Sequence, residues 1–515
     1  MRDLLRAAAP GSADDLDRLC ERLRGIQYNQ VLRLKHPDTE LGLEPELSRV
    51  IALHLLRTGR TRLEIMTGLD LLATDLREED IDLVREIALL QHGYGFTASE
   101  MLRASQRPGH SLYWLAVRSS PPDQALYADL LGMLSAEDME ELLTGLSVPD
   151  SIEILRMMSH RSQTPKWIKG SKHFTTALAQ AAKRPELFGS GITGLVAITQ
   201  VRDDLLYGHS ALLDLEQGTR ATVARDLLTA LRAPQARELV SSALADDPQD
   251  SEAIWLHRYI ENADDRDGDF PPGLAIRIAT PAPSTRQAPR THLVVDGVPL
   301  VTSLFDHGAA GIPPVLLHRN QGLRTSAEVH EVWLAEADCT EGCCGVLAVR
   351  IRRDEATGRV LWDVKATRGG TETAQFAFDA REYDAEVARA EADYSWEWPA
   401  LRAARMLNRR LRDDPSLLSR WDCCNYGAVS WNFDRSILRL ILWHPEPPNP
   451  DRPWLQFQYR TEIPDATSVD DDAVAATVEE ILERLRTNDP KSIGKLCGGS
   501  EENAKALGYP WPPVR

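Results

Sequence analysis

The sequence predicts a multidomain protein in two parts: an all-α, helical-repeat N-terminal half and an α+β C-terminal domain with a mainly antiparallel sheet. Three observations carry this reading. Apolar residues recur at helical spacing through the first 262 positions. Beyond about residue 290 the pattern changes to short runs of strand type. Between the two lies a stretch dense in acidic residues, glycine and proline. A chain of 515 residues exceeds one ordinary core and suggests roughly two to four domains. Its 43% hydrophobic and 26% charged content is the balance of a folded globular chain.

Residues 13–160 read as closely spaced short helices. Leu47, Val50, Ile51 and Leu55 share one helical face, as do Leu63, Met66, Leu69 and Leu72, and then Ile81, Val84 and Ile87. Breakers separate these sets, for example Gly59 and Gly93-Tyr94-Gly95. A weak internal echo links Leu69–Val84 with Leu130–Leu142: in each, an apolar helix is followed by an acidic start to the next. Acidic first turns favour the helix dipole. Stacked helical pairs bury a continuous core that one pair cannot. This stretch resembles HEAT-type repeats of bacterial proteins, over roughly the first third of the chain. The resemblance implies an α-solenoid with an extended surface for protein partners.

Residues 161–262 also read as helical, either continuing the solenoid or forming a separate bundle. Residues 263–290 read as a linker. It carries Asp264, Asp265, Asp267 and Asp269, then Pro271-Pro272-Gly273 and Pro281, Pro283 and Pro289. The aspartates do not form a calcium loop, because no register places Gly sixth and Glu twelfth. Residues 291–515 form the α+β domain. A hairpin is expected at Asp296-Gly297, followed by strands near 329–335, 345–352, 360–367 and 373–378. A charged helical stretch over 381–412, with a break at Pro399, precedes strands near 428–433, 436–443 and 455–460. The last long helix, 470–486, aligns Val474, Val478, Ile481 and Leu485. The segments 335–345, 390–399 and 420–423 resemble a cysteine- and tryptophan-bearing module of bacterial proteins, a resemblance that implies no activity.

The densest candidate for chemistry is the cysteine set Cys339, Cys343, Cys344 and Cys423. A turn bearing Cys339 and Cys343 has near-ligand spacing for Zn, and His330 could add a nitrogen. The paired C-x-x-C knuckles of common zinc sites are missing. The competing readings are a disulfide or redox pair, a Cys343 or Cys344 nucleophile served by His307, His318 or His330, and plain packing of small apolar thiols. Gly189–Gly194 matches G-x-G-x-x-G, but what precedes it reads as a helix end, so a glycine-rich helix start is expected rather than a dinucleotide loop. Trp396 and Trp398 flank Glu397; at i, i+2 they cannot share a helix face, so one is expected on the sheet and the other at a surface or inter-domain contact.

A net charge of −18 disfavours general nucleic-acid binding. The start of the chain has no apolar targeting core, and no stretch is long and apolar enough for a bilayer, so a cytoplasmic chain without a membrane contact is expected. No complete catalytic motif is present. The expected function is therefore a protein-interaction or scaffold protein, by analogy in bacterial defence or toxin immunity. The alternative is a metal- or thiol-dependent enzyme centred on the C-terminal cysteines.

Overall fold

The computed structural model describes residues 5, 12–25, 44–90, 92–119, 121–158, 171–213, 215–263, 268–305, 308–318, 321–326, 328–337, 344–367, 373–446, 452–466 and 469–511. The chain divides into two compact units, Met1–Ala177 and Leu178–Arg515. The division thus precedes the acidic stretch that composition singles out. The helices between 178 and 262 belong with the sheets that follow them.

The first unit is helical: α1 (Ala13–Arg24), α2 (Pro45–Thr58), α3 (Arg62–Leu72), α4 (Ile81–Leu90), α5 (His92–Arg103), α6 (Pro108–Ala116), α7 (Pro121–Gly132), α8 (Ala136–Gly145) and α9 (Val148–Met158). Local chemistry sets these ends. Thr61 and Glu64 form a reciprocal capping box at α3, and Ser135 accepts the Asp138 N–H at α8. Burial alone would raise the Glu64 carboxyl, but bonds from Arg60 and Thr61 outweigh it and hold the group below its ordinary value. Next-but-one packing runs α1–α3–α5–α7–α9 and α4–α6–α8. The internal echo falls on the α3–α4 and α7–α8 corners.

The second unit opens with α10 (Lys172–Lys183), whose first residues belong to the first unit, then α11 (Gly191–Tyr207), α12 (Gln217–Leu231), α13 (Pro234–Asp246) and α14 (Ser251–Asn262). Here α11 packs on α12, α13 and α14 alike, which is a small bundle around one central helix. The Gly189–Gly194 segment follows a 3-10 turn, Pro185–Phe188, and opens α11; no strand precedes it.

Three antiparallel sheets follow, in the orders β1-β2-β3, β4-β5-β6-β7 and β11-β10-β9-β8. One correction concerns the expected 263–290 linker: β1 (Leu274–Ala279) lies inside it and pairs with β2 (Arg290–Val295). The six residues Leu274–Ala279, set between Gly273 and Pro281, are enough for a strand when a neighbour supplies the whole ladder. Asp296 and Gly297 both have positive φ, 49° and 79°, as a type I′ turn into β3 (Val298–Pro299) requires. The second sheet consists of β4 (His330–Glu336), β5 (Val346–Asp354), β6 (Arg359–Thr367) and β7 (Thr373–Asp379), backed by α15 (Ala380–Ala392). It shares one core with the first sheet, centred on fully buried Trp362. Trp362 meets Phe378 and Tyr383 edge-on at 5.2 and 5.9 Å.

The charged stretch 381–412 is two helices, α15 and α16 (Pro399–Asp413), broken where Pro399 begins the second. Next come β8 (Cys424–Trp431), β9 (Asp434–His444) and β10 (Leu455–Glu462), then α17 (Asp471–Thr487), β11 (Lys495–Gly498) and α18 (Glu501–Leu507). Helices α16 and α17 pack together, and α16 covers one face of the meander. Leu438, Leu440 and Leu442 point into that core with Val474, Val478, Ile481 and Leu485. No helix among the described residues is long and apolar enough to cross a membrane.

Candidate functional site

The strand β9 spans 11 residues, about 35 Å, and its two faces obey different rules. One parity is the leucine row buried against the helices. The other parity holds Ile437, Arg439, Ile441 and Trp443, where a solvated face would ordinarily be polar. Cross-strand register places Val429 opposite Arg439, and Gln456 and Gln458 opposite Trp443 and Ile441. This second face carries two aromatic clusters.

At one end Tyr426, 60% exposed, stacks on Trp443 with centroids 5.8 Å apart, and Trp443 stacks on Trp454 at 5.4 Å. The rings lie within 9° and 14° of parallel. At the hairpin end Trp431 and Phe433 stack at 5.4 Å and are 42% and 51% exposed. The Arg439 guanidinium lies 4.1 Å over the Trp431 ring and pairs with Asp434. Arg286 lies 5.8 Å from the Phe433 ring. These contacts fix the ring orientations before any partner arrives, which lowers the ordering cost of binding. The buried Trp443 Nε1 has no acceptor among the described residues, a donor left unpaired at a cost of about 1–3 kcal/mol. Rigid, half-exposed Trp and Tyr rings beside an arginine are the side chains that dominate protein interfaces.

The predicted cysteine set is divided. Cys339 and Cys343, like His307, lie outside the described residues. Cys344 is exposed in the turn ahead of β5. Cys423 is fully buried in the core beneath β8, with its thiol 3.5 Å from the Trp421 carbonyl and 3.8 Å from Lys491 Nζ. Burial pushes this thiol up to about 11, with Lys491 opposing the shift only in part. A nucleophile needs the opposite displacement, and the surroundings of Cys423 are those of a packed thiol. His330 Nε2 lies 3.1 Å from the Gly322 carbonyl, and His318 stacks on Tyr394 at 5.5 Å with its imidazole held below its ordinary value by burial. Among the described residues no three His, Cys, Asp or Glu side chains converge as a metal site. Iodoacetamide at pH 8 should label exposed Cys344 in the native chain well before buried Cys423, whose thiol is held above its ordinary value. Mass spectrometry of the labelled peptides checks this; equal rates would contradict the placement of Cys423.

Trp398 lies in the helix–sheet core, with Nε1 donating to Ser430 Oγ at 2.8 Å, whereas Trp396 is half-buried with Nε1 bonded to the Asp393 carbonyl. The two tryptophans are thus split as their spacing requires. The aromatic face itself was not among the sequence-derived candidates. Its signal was present in β9: Ile437, Ile441 and Trp443 lie on the parity opposite the leucine row, and the helices α16 and α17 pack with the leucines. No protein-family model, no curated protein and no solved structure matches this chain.

Proposed function

We propose that this chain is a protein-binding scaffold, and that the open face of the β8–β9–β10 sheet is its principal recognition surface. The observation that carries the reading is the pair of pre-oriented aromatic clusters, Tyr426–Trp443–Trp454 and Trp431–Phe433, on a sheet whose other face is already filled. A net charge of −18 favours a protein over a nucleic acid as the occupant. The α1–α9 helices are, on this reading, a HEAT-like solenoid offering a second surface. The next-but-one packing supports it, because each layer of such a stack contacts only its neighbours. The competing enzymatic reading draws no support from Cys423, whose thiol is buried and hard to ionise.

Affinity purification of the full-length protein from its native cells tests the proposal. The expected result is a stoichiometric protein partner that is lost when Tyr426→Ala and Trp431→Ala are combined. Each truncation should weaken binding by about 2 kcal/mol if the rings are anchors. Recovery unchanged by the double variant, with the melting transition intact, would overturn the assignment of the surface.

A further inference from the structure

We propose that a second, separate cleft, enclosed by α11, α14, β1 and the end of α15, binds a small planar anion: an aromatic or heteroaromatic ring bearing a phosphate or carboxylate. The cleft has a volume of about 340 Å³, within the range of small-molecule sites. Its composition departs from that of the chain. The whole protein carries 59 basic against 77 acidic side chains. The cleft wall carries Arg202, Arg258, Arg277, Arg389 and Arg435 against Asp203 and Asp393.

Much of that charge is fixed in position by the fold. Asp465 accepts from Arg258 Nη1 at 2.6 Å. Glu386 bonds both Arg277, at 3.2 Å, and Arg389, at 2.7 Å. Two of the five arginines thus share one carboxylate. Arg435 is different. Its side chain is 2% exposed, and it donates through Nε and Nη2 to Asn432 Oδ1 at 2.9 and 2.5 Å, and through Nη2 to the Pro281 carbonyl at 3.5 Å. Its Nη1 makes no hydrogen bond among the described residues; the nearest carboxylate oxygen, Asp465 Oδ2, is 4.0 Å away. Burial pushes this guanidinium down to about 9, with Asp465 opposing the shift and Arg258 adding to it. A guanidinium in a cleft wall whose nearest carboxylate oxygen is 4.0 Å away suits a ligand oxyanion.

The aromatic residues of the wall account for the planar part. Trp255 Nε1 donates to the Thr280 carbonyl at 2.8 Å and Trp396 Nε1 to the Asp393 carbonyl at 2.8 Å. With both indole N–H groups tied, these rings present carbon surface to the cleft. Tyr259 donates to Asp203 at 2.6 Å and accepts from Arg202 at 2.9 Å. Burial first, and Asp203 with it, hold the phenol protonated well above its ordinary range. The phenol is therefore no base, and the Asp203 oxygen it bonds is occupied. The wall thus offers a ligand both guanidinium groups and aromatic ring surface.

Isothermal titration calorimetry of the full chain tests this, since it reads each probe without an optical signal from the probe itself. The probes are adenosine 5′-monophosphate and guanosine 5′-monophosphate, indole-3-acetate for the carboxylate source, and adenosine and inorganic phosphate as half-ligands. At least one charged planar probe should saturate with a Kd below about 1 mM and raise the melting temperature. Its affinity should fall with added salt. Both half-ligands should bind at least about tenfold more weakly. Trp396→Ala and Arg389→Gln, at partly exposed positions, should each weaken binding about tenfold, whereas Glu382→Gln on the outer surface of α15 should not. Saturation by nucleotides alone assigns the oxyanion as phosphate, and by indole-3-acetate alone as carboxylate. The proposal fails if no probe saturates, if adenosine binds as tightly as its monophosphate, or if both cleft variants fold and bind unchanged.

Discussion

Asp465→Ala should cost the second unit about 3–5 kcal/mol, because it removes the carboxylate between two arginines and leaves one of them buried. Asp465 is 4% exposed. It bonds Arg258 of α14 at 2.6 Å and faces Arg435 of β9 at 4.0 Å, so a single side chain joins the helical bundle to the C-terminal sheet. Without it, Arg435 keeps only Asn432, the Pro281 carbonyl and the Trp398 ring, 4.8 Å from its guanidinium carbon. Neutral neighbours do not offset the desolvation of a buried cation. Asp465→Asn retains the shape and removes the charge, and it should lose most of the same stability. Hydrogen exchange of the α14 and β9 amides in the full chain reads both variants. Losses under about 1 kcal/mol would mean that packing, not charge, holds this seam.

The second large effect is pH-dependent. His292 of β2 lies stacked on Tyr207 of α11, with centroids 4.7 Å apart and ring planes 15° from parallel. Burial, with Arg290 adding repulsion, lowers its imidazole from the ordinary 6.5 to about 3. The unfolded chain therefore takes up a proton as pH falls through 6.5, while the folded chain takes it up only near pH 3. Stability from this group is fully present above pH 6.5 and is lost progressively between 6.5 and about 3. The residue keeps a minor part of its surface in water, so we expect a loss of roughly 2–4 kcal/mol rather than the full value of the shift. His292→Phe retains the stack and has nothing to titrate. Its melting temperature should fall less steeply than that of the natural sequence over this window. Parallel curves would contradict a neutral, enclosed imidazole.

Particular residues show why parts of this protein are legible in sequence and others are not. The alternation Leu438, Leu440, Leu442 and the turn Asp296-Gly297 are local signals, and the structure places both where local chemistry requires. So is the Val474–Leu485 stripe, whose spacing matches one helix face. By contrast β1 hides among prolines, because its stability comes from β2, which begins 11 residues after β1 ends. The arginine cleft draws its wall from positions 202 to 435, and no window of sequence brings those together. The aromatic face falls between these cases. Trp431, Phe433 and Trp443 are visible as residues, but whether a strand's second apolar face is covered depends on where the helices pack, and α16 and α17 both lie with the leucine face. The cysteines show a related limit: adjacent Cys423 and Cys424 differ in burial because Cys423, just ahead of β8, packs into the helix–sheet core, whereas Cys424 begins the strand.

The recognition face can be tested by placing a photo-crosslinking residue at Tyr426 of the full-length protein in its native cells, with the same residue at Glu382 as the control position. The account predicts one dominant protein adduct from position 426, absent from position 382, and suppressed when Trp431→Ala is added to the same chain. Adducts of equal yield from both positions, or no protein adduct at 426 from a folded chain, would contradict it.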